Sequence, residues 1–383
     1  MGSIRGVWIV VAVSAVLAWL PASGAEAGRT CGSWQVLPSP NGGSNDSSLS
    51  GVSADARDDA WAVGTSSETT VTRILAEHWD GSSWTVVPTP NPSPTISALT
   101  AVATGSAVDT WAVGFYDDGS TFRTLAEHWD GFSWSVVPTP NVGAGENVLT
   151  SVTFVADGDA WAVGYRRDSA ETPRQTLALH WNGSVWSVVT TPNGTGDNYL
   201  WSVRGLSSGD VWAVGSYSVP WFQTLTEHWD GSSWTVVPSQ NLGNGDNVLY
   251  AAVPLTASSA VAVGTWLNGN QQATLAEHWQ GSTWKAGPSP SPGGYLNFLT
   301  GAASGGTAGI WAVGWGADIP FGVQRNLAEH WNGHRWTVGT IPNVGSGSNE
   351  LAAVVGVPST GVFFAVGHHE QIGGNHTLVE YRC

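Results

Sequence analysis

One short motif, repeated seven times, sets the limits on what this chain can fold into. Trp61-Ala62-Val63-Gly64 recurs at Trp111, Trp161, Trp212 and Trp311, and Val261-Ala262-Val263-Gly264 and Phe364-Ala365-Val366-Gly367 are variants of it. The spacing is about 50 residues, the mark of an architecture whose units bury their apolar faces only against each other.

Each unit reads as four strands. A short strand such as Leu99-Thr100-Ala101-Val102 comes first, and an Asp-containing turn at Asp109-Thr110 leads into the motif. The motif is apolar on both faces, as expected of a strand buried between neighbouring sheets. A variable loop, the segment Leu75-Ala76-Glu77-His78-Trp79 and the hairpin dipeptide Asp80-Gly81 follow. The returning strand is Ser83 to Val87, and a proline-containing stretch such as Pro88-Thr89-Pro90-Asn91 ends every copy. Proline has no N–H to give to a ladder, so this stretch belongs at a sheet edge. The sum is an all-β fold: a seven-bladed β-propeller of four-stranded blades. With 49 Gly, 24 Trp and 11% charged residues, the composition suits short strands, tight turns and large aromatic packing groups.

The last copy lacks its fourth strand. Leu378 to Cys383 aligns on Leu75 to Asp80, which places Cys383 at the first residue of the hairpin turn; Cys31-Gly32-Ser33-Trp34 aligns on Gly81 to Trp84, which places Cys31 at the second. The expectation is a ring closed by the N-terminal segment as fourth strand of the last blade and stapled by a Cys31–Cys383 disulfide. Such a bond needs an oxidising compartment.

Residues 31 to 383 resemble the kelch-type propellers: the WAVG motif stands where kelch repeats have a hydrophobic strand ending in paired glycines, Glu77-His78-Trp79-Asp80-Gly81 where they have an aromatic residue before a turn, and Trp84 where they have a downstream tryptophan. One glycine (Gly64, Gly114, Gly164) replaces the usual two, so the chain is similar to a divergent, bacterial-type member. The family spans enzymes and binding proteins, so the resemblance leaves function open.

Arg5, the apolar run Val7 to Leu20, Pro21 and the small-x-small sequence Ala25-Glu26-Ala27 have the form of a secretory leader. Cleavage after Ala27 leaves residues 28–383 as one propeller, secreted and extracellular. An uncleaved anchor needs about 20 apolar residues, more than this run supplies. The formal charge of −16, with a single lysine, argues against a nucleic-acid partner. No membrane partner and no cofactor are expected, and the chain reads as a monomer.

Six histidines (His78, His128, His180, His228, His278, His330) hold one third-strand position, and Glu77, Glu127, Glu227, Glu277, Glu329 and Glu380 hold the one before it. Blade-to-blade separation is far greater than the ~2 Å of a zinc–nitrogen bond, so hydrogen bonding within blades is their expected role. His368-His369-Glu370 with His376 completes no zinc signature. The stretches Asn193 to Asn198 and Asn241 to Asn247 suit left-handed turns better than calcium loops. No metal site and no catalytic residue are assigned. Both cysteines are committed to the staple and the arginines are scattered, which disfavours copper-radical and sialidase chemistry. Asp197, Asp246 or Glu146 could still form an acid pair for a glycosidase or lyase.

A residue present in every blade serves packing and turns, whereas a single site should use residues that break the pattern. The exceptions fall on the face where second strands end: Tyr116, Arg166, Tyr217, Trp266, Trp315 and His369, joined by Trp201, where other blades have Thr100, Thr150 or Thr300, and by Trp221 in a long loop. Exposed rings stack on sugars or pack against proteins. These eight are the expected ligand-binding residues of a non-catalytic binding protein for a glycan or an extracellular protein. A carbohydrate-active enzyme with its site at the channel mouth and a cell-surface repeat scaffold are the alternatives.

Overall fold

The computed structural model describes residues 32–43 and 45–383. The proposed leader and Cys31 lie outside them. The described residues form seven antiparallel sheets of four strands each. In blade 1 the strands run, from the axis outward, Ser47–Ala56, Asp59–Glu68, Val71–Trp79 and Trp84–Val86. Blades 2 to 6 repeat this order over residues 97–136, 147–189, 198–236, 247–287 and 296–338, and blade 7 begins at residue 349. Successive inner strands pack side by side, and that of blade 7 returns against that of blade 1. The propeller and its closure are as the repeat demanded.

The inner strands are longer than their apolar stretch. In blade 2 the strand is Ser97–Ser106, because pairing with the second strand continues to the turn before Asp109. Each inner strand also carries a bulge at one equivalent position, between Leu49 and Gly51 in blade 1 and between Leu351 and Ala353 in blade 7. The bulge explains the glycine that ends each motif. A Cβ on Gly64 would lie 2.0 Å from the Ser48 carbonyl oxygen, and one on Gly114 or Gly164 equally close to that of Ala98 or Val148.

The core lies between blades. Trp61, Trp161 and Trp212 are each almost wholly buried. Trp61 packs against Trp129 and Trp134 of the next blade, the second edge-on with centroids 5.0 Å apart. The same edge-on contact recurs for Trp111 with Trp186, Trp161 with Trp234 and Trp212 with Trp284. Such pairs add about 0.5–1.5 kcal/mol beyond the area they bury. The fourth strands are only three or four residues long and stop before the prolines.

The N-terminal segment completes blade 7. Gln35, Val36 and Leu37 pair antiparallel with Tyr381, Glu380 and Val379, and Gly32 N donates to the Cys383 carbonyl at 2.8 Å. Trp34 meets Trp311 edge-on, as outer-strand tryptophans do at the other seams. Asn41 Oδ1 accepts from Thr377 N, the bond Asn91 makes to Ile74 and Asn141 to Thr124 within their blades. Residues 32–41 therefore occupy, part for part, the place of an outer strand and its cap.

Candidate functional site

The repeated histidines bond within their blades. Nε2 of His78, His128, His180 and His228 lies 2.7–2.9 Å from Oδ1 of Asp59, Asp109, Asp159 and Asp210, the aspartates of the turns before each motif. His330 bonds the Ala308 carbonyl at 2.8 Å, and His278 packs on Trp331. The glutamates beside them face the preceding blade and are fully buried. Burial pushes Glu77, Glu127, Glu227, Glu329 and Glu380 up to about 8, and Glu277 to about 7.

Two of the irregular histidines are held by their surroundings. His369 is 7% exposed, and burial holds it below the usual imidazole range. His376 bonds Asn41 at 2.8 Å. Among the described residues, no group of three or more His, Cys, Asp or Glu is placed to hold a metal. In the Asn-rich stretches the side chains close turns: Asn198 Oδ1 accepts from Gly194 N, and Asn247 Oδ1 from Leu242 N.

The eight expected ligand-binding residues do not form one site. The second strands continue past the motif, so successive side chains alternate between blade faces. Tyr116, Tyr217 and Trp266 are half-buried against the seams with the preceding blades. Arg166 is held by Asp168 and Gln175. Trp315 stacks on Phe298 of its own blade with centroids 4.4 Å apart. Trp221 is 54% exposed at the tip of a blade 4 loop.

Trp201 is the one that sits in an aromatic assembly. Tyr199 stacks on it with centroids 5.1 Å apart and planes 8° from parallel. Tyr165 meets Tyr199 edge-on at 5.1 Å and Trp201 at 6.1 Å, while Phe222 and Tyr250 extend the surface toward blade 5. Together with Arg174, Ser216, Asp246, Val248, Thr265 and Gln272, these rings line a groove of about 420 Å³ on the face where second strands end. Trp201 and Tyr250 occupy the bulge position of blades 4 and 5, so the groove opens onto the axial channel. In blades 2, 3 and 6 that position is a threonine whose hydroxyl bonds the next blade, as Thr100 bonds the Leu149 carbonyl at 2.8 Å.

The polar groups of the groove are fixed. Arg174 lies 5.5 Å from the centroids of Tyr165 and Tyr199, donates to the Tyr199 hydroxyl at 3.0 Å and pairs with Glu146 at 2.6 Å. Burial pushes the Tyr165, Tyr199 and Tyr250 phenols up, so they stay neutral at physiological pH. The three acids considered for catalysis are each engaged: Glu146 by Arg174, Asp197 Oδ1 by Arg174 N and Asp246 Oδ1 by Phe222 N. The arrangement offers a rigid ring surface rather than converging carboxylates.

Neither a family model nor a curated protein matches the chain. Among solved structures it is similar to one described as YCF48 bound to D1 peptide, at TM-score 0.56 and 15% identity over 91% of this chain and 97% of that one. YCF48 from Cyanidioschyzon merolae gives TM-score 0.55 and 14% identity, covering 91% and 98%. A fucose-specific lectin from Aleuria aurantia gives TM-score 0.45 and 13% identity, covering 77% and 95%. At these identities the YCF48 likeness speaks for the fold: the described chain is a seven-bladed β-propeller.

Proposed function

We propose that this is a secreted, kelch-like, non-catalytic binding protein that takes a glycan in the groove between blades 3, 4 and 5. The observation that carries the reading is the stacked pair Tyr199–Trp201 inside a ring-lined groove at the channel mouth. A sugar ring presents a face of C–H groups to an aromatic ring, and pre-fixed rings bind it without losing rotamer freedom. Gln272 and Asp246 line the groove and carry hydrogen-bonding groups. The leader-like N-terminus, residues 1–27, and the proposed Cys31–Cys383 bond support export to an extracellular site.

A second reading, an extracellular polypeptide as ligand, is favoured by Val219 and Trp221, each more than half exposed on the loop beside the groove. Glycan-array and peptide titration of the mature protein separate the two. Trp201→Ala is expected to weaken binding at the groove by about tenfold or more, from the stacking and burial of one ring. Trp315→Ala, outside the groove, should leave binding unchanged. Equal affinity of wild type and Trp201→Ala for every ligand found would refute the assignment.

A further inference from the structure

Among the described residues that line the axial channel, one is charged. The inner strands line two cavities along it, of about 280 and 190 Å³, which share Arg204, Ala252, Ala302 and Val354. Every other lining residue of both is uncharged. Arg204 pairs in register with Trp212, and the residues holding that register elsewhere are Ser53, Ala103, Thr153, Val253, Ala303 and Val355. The arginine therefore breaks a pattern of small and apolar residues, as Trp201 does three positions earlier on the same strand.

Its guanidinium is only half satisfied. Nη1 donates to the carbonyl oxygens of Val152 at 3.3 Å and Val203 at 3.0 Å. Among the described residues no carboxylate pairs with it, and Nε and Nη2 make no hydrogen bond. Burial lowers its pKa, but a guanidinium starts high enough to remain charged. The side chain is partly open to the channel, a cation with no counter-charge beside it, and the free Nε/Nη2 edge has the spacing to take both oxygens of a carboxylate. Around it Ala252, Ala302 and Val354 form an apolar part of the wall beside serine and threonine side chains, and at about 30 Å³ per water-sized group the two cavities hold about nine and six heavy atoms.

We propose that the channel is a second binding site, separate from the aromatic groove, which takes a short-chain carboxylate: its oxygens on the Nε/Nη2 edge of Arg204 and its alkyl tail against Ala252, Ala302 and Val354. Entry is from the mouth beside Trp201 and Tyr250, which line both the channel and the groove.

Calorimetric titration of the mature protein with butyrate, acetate and inorganic phosphate at constant ionic strength tests this. Butyrate should bind saturably and about tenfold more tightly than acetate, from two added methylenes, and phosphate more weakly than either. Arg204→Gln should abolish butyrate binding, and Tyr199→Ala, which disrupts the groove, should keep it. In case Arg204→Gln does not fold, ¹⁵N spectra of the wild-type arginine Nε–H groups give an independent reading, in which butyrate shifts the Arg204 resonance. Undiminished binding in a folded Arg204→Gln protein, no preference for butyrate over acetate and phosphate, or an unmoved Arg204 resonance would overturn the proposal.

Discussion

Glu127 shows what one repeated residue costs. It is fully buried, and neither carboxyl oxygen has a hydrogen-bond partner among the described residues. Burial raises it to about 8, so the folded protein holds its proton where the unfolded chain has lost it. The native state therefore binds more protons between about pH 4.5 and 8, and stability is fully present below that window and falls as pH rises through it. All six glutamates push the same way. In blade 3 the position is Leu179, buried without penalty. Glu127→Gln is expected to raise the free energy of urea unfolding at pH 9 by a few kcal/mol and to change it little at pH 4.5. An equal effect at both pH values would mean that ionisation is not what burial opposes here. Among the residues of the proposed groove, Trp201 was visible in the sequence because it replaces a threonine; Tyr250 carries the same signal at the same register in blade 5. Tyr165 directly follows the motif of blade 3, at a position that varies between blades; Arg174 and Phe222 gave no such sign, since they lie at or beside strand ends whose course only the fold defines.

At the scale of the strand, the WAVG motif is a seam element. Its tryptophan touches two tryptophans of the next blade, and its glycine lets the inner-strand carbonyl approach. Blade 5 has Val261 instead, and a cavity of about 420 Å³ lined by Val261, His278, Trp279 and Trp331 is found there. Trp161 is almost wholly buried and packs against Trp229 and Trp234. Trp161→Ala should cost about 3–5 kcal/mol in equilibrium urea unfolding, the range for emptying a large aromatic site. A loss under about 1 kcal/mol would show that the seams close over the gap. Strand type and order were legible because apolar runs, Asp-Gly turns and prolines act locally. The alternation of side chains beyond the motif was not, and it turned Tyr116, Tyr217 and Trp266 toward the seams and away from one shared site.

At the scale of the molecule, the ring is closed by three backbone-paired residues, Trp34 and the Asn41 cap. Gly32 bonded to Cys383 brings the chain ends within reach of the proposed staple. A disulfide there would enclose residues 31–383, worth on the order of 5 kcal/mol by loop entropy. Intact mass under non-reducing conditions should show two hydrogens fewer than after reduction. Reductant should lower the melting temperature of the wild type and leave a Cys31→Ser, Cys383→Ser double variant unchanged. Free thiols in the folded protein would remove the staple and leave closure to the strand and Trp34.

The sequence by itself determined the repeat, the number of blades and the way the ring closes, because these follow from patterns that act within a unit or between identical units. Only the tertiary structure decided the sites. Tyr165, Tyr199, Trp201, Phe222 and Tyr250 come from three blades, and Arg204 is alone only when all seven inner strands surround it. Such neighbourhoods depend on where the blades bring side chains together across the ring, a relation that no local pattern encodes.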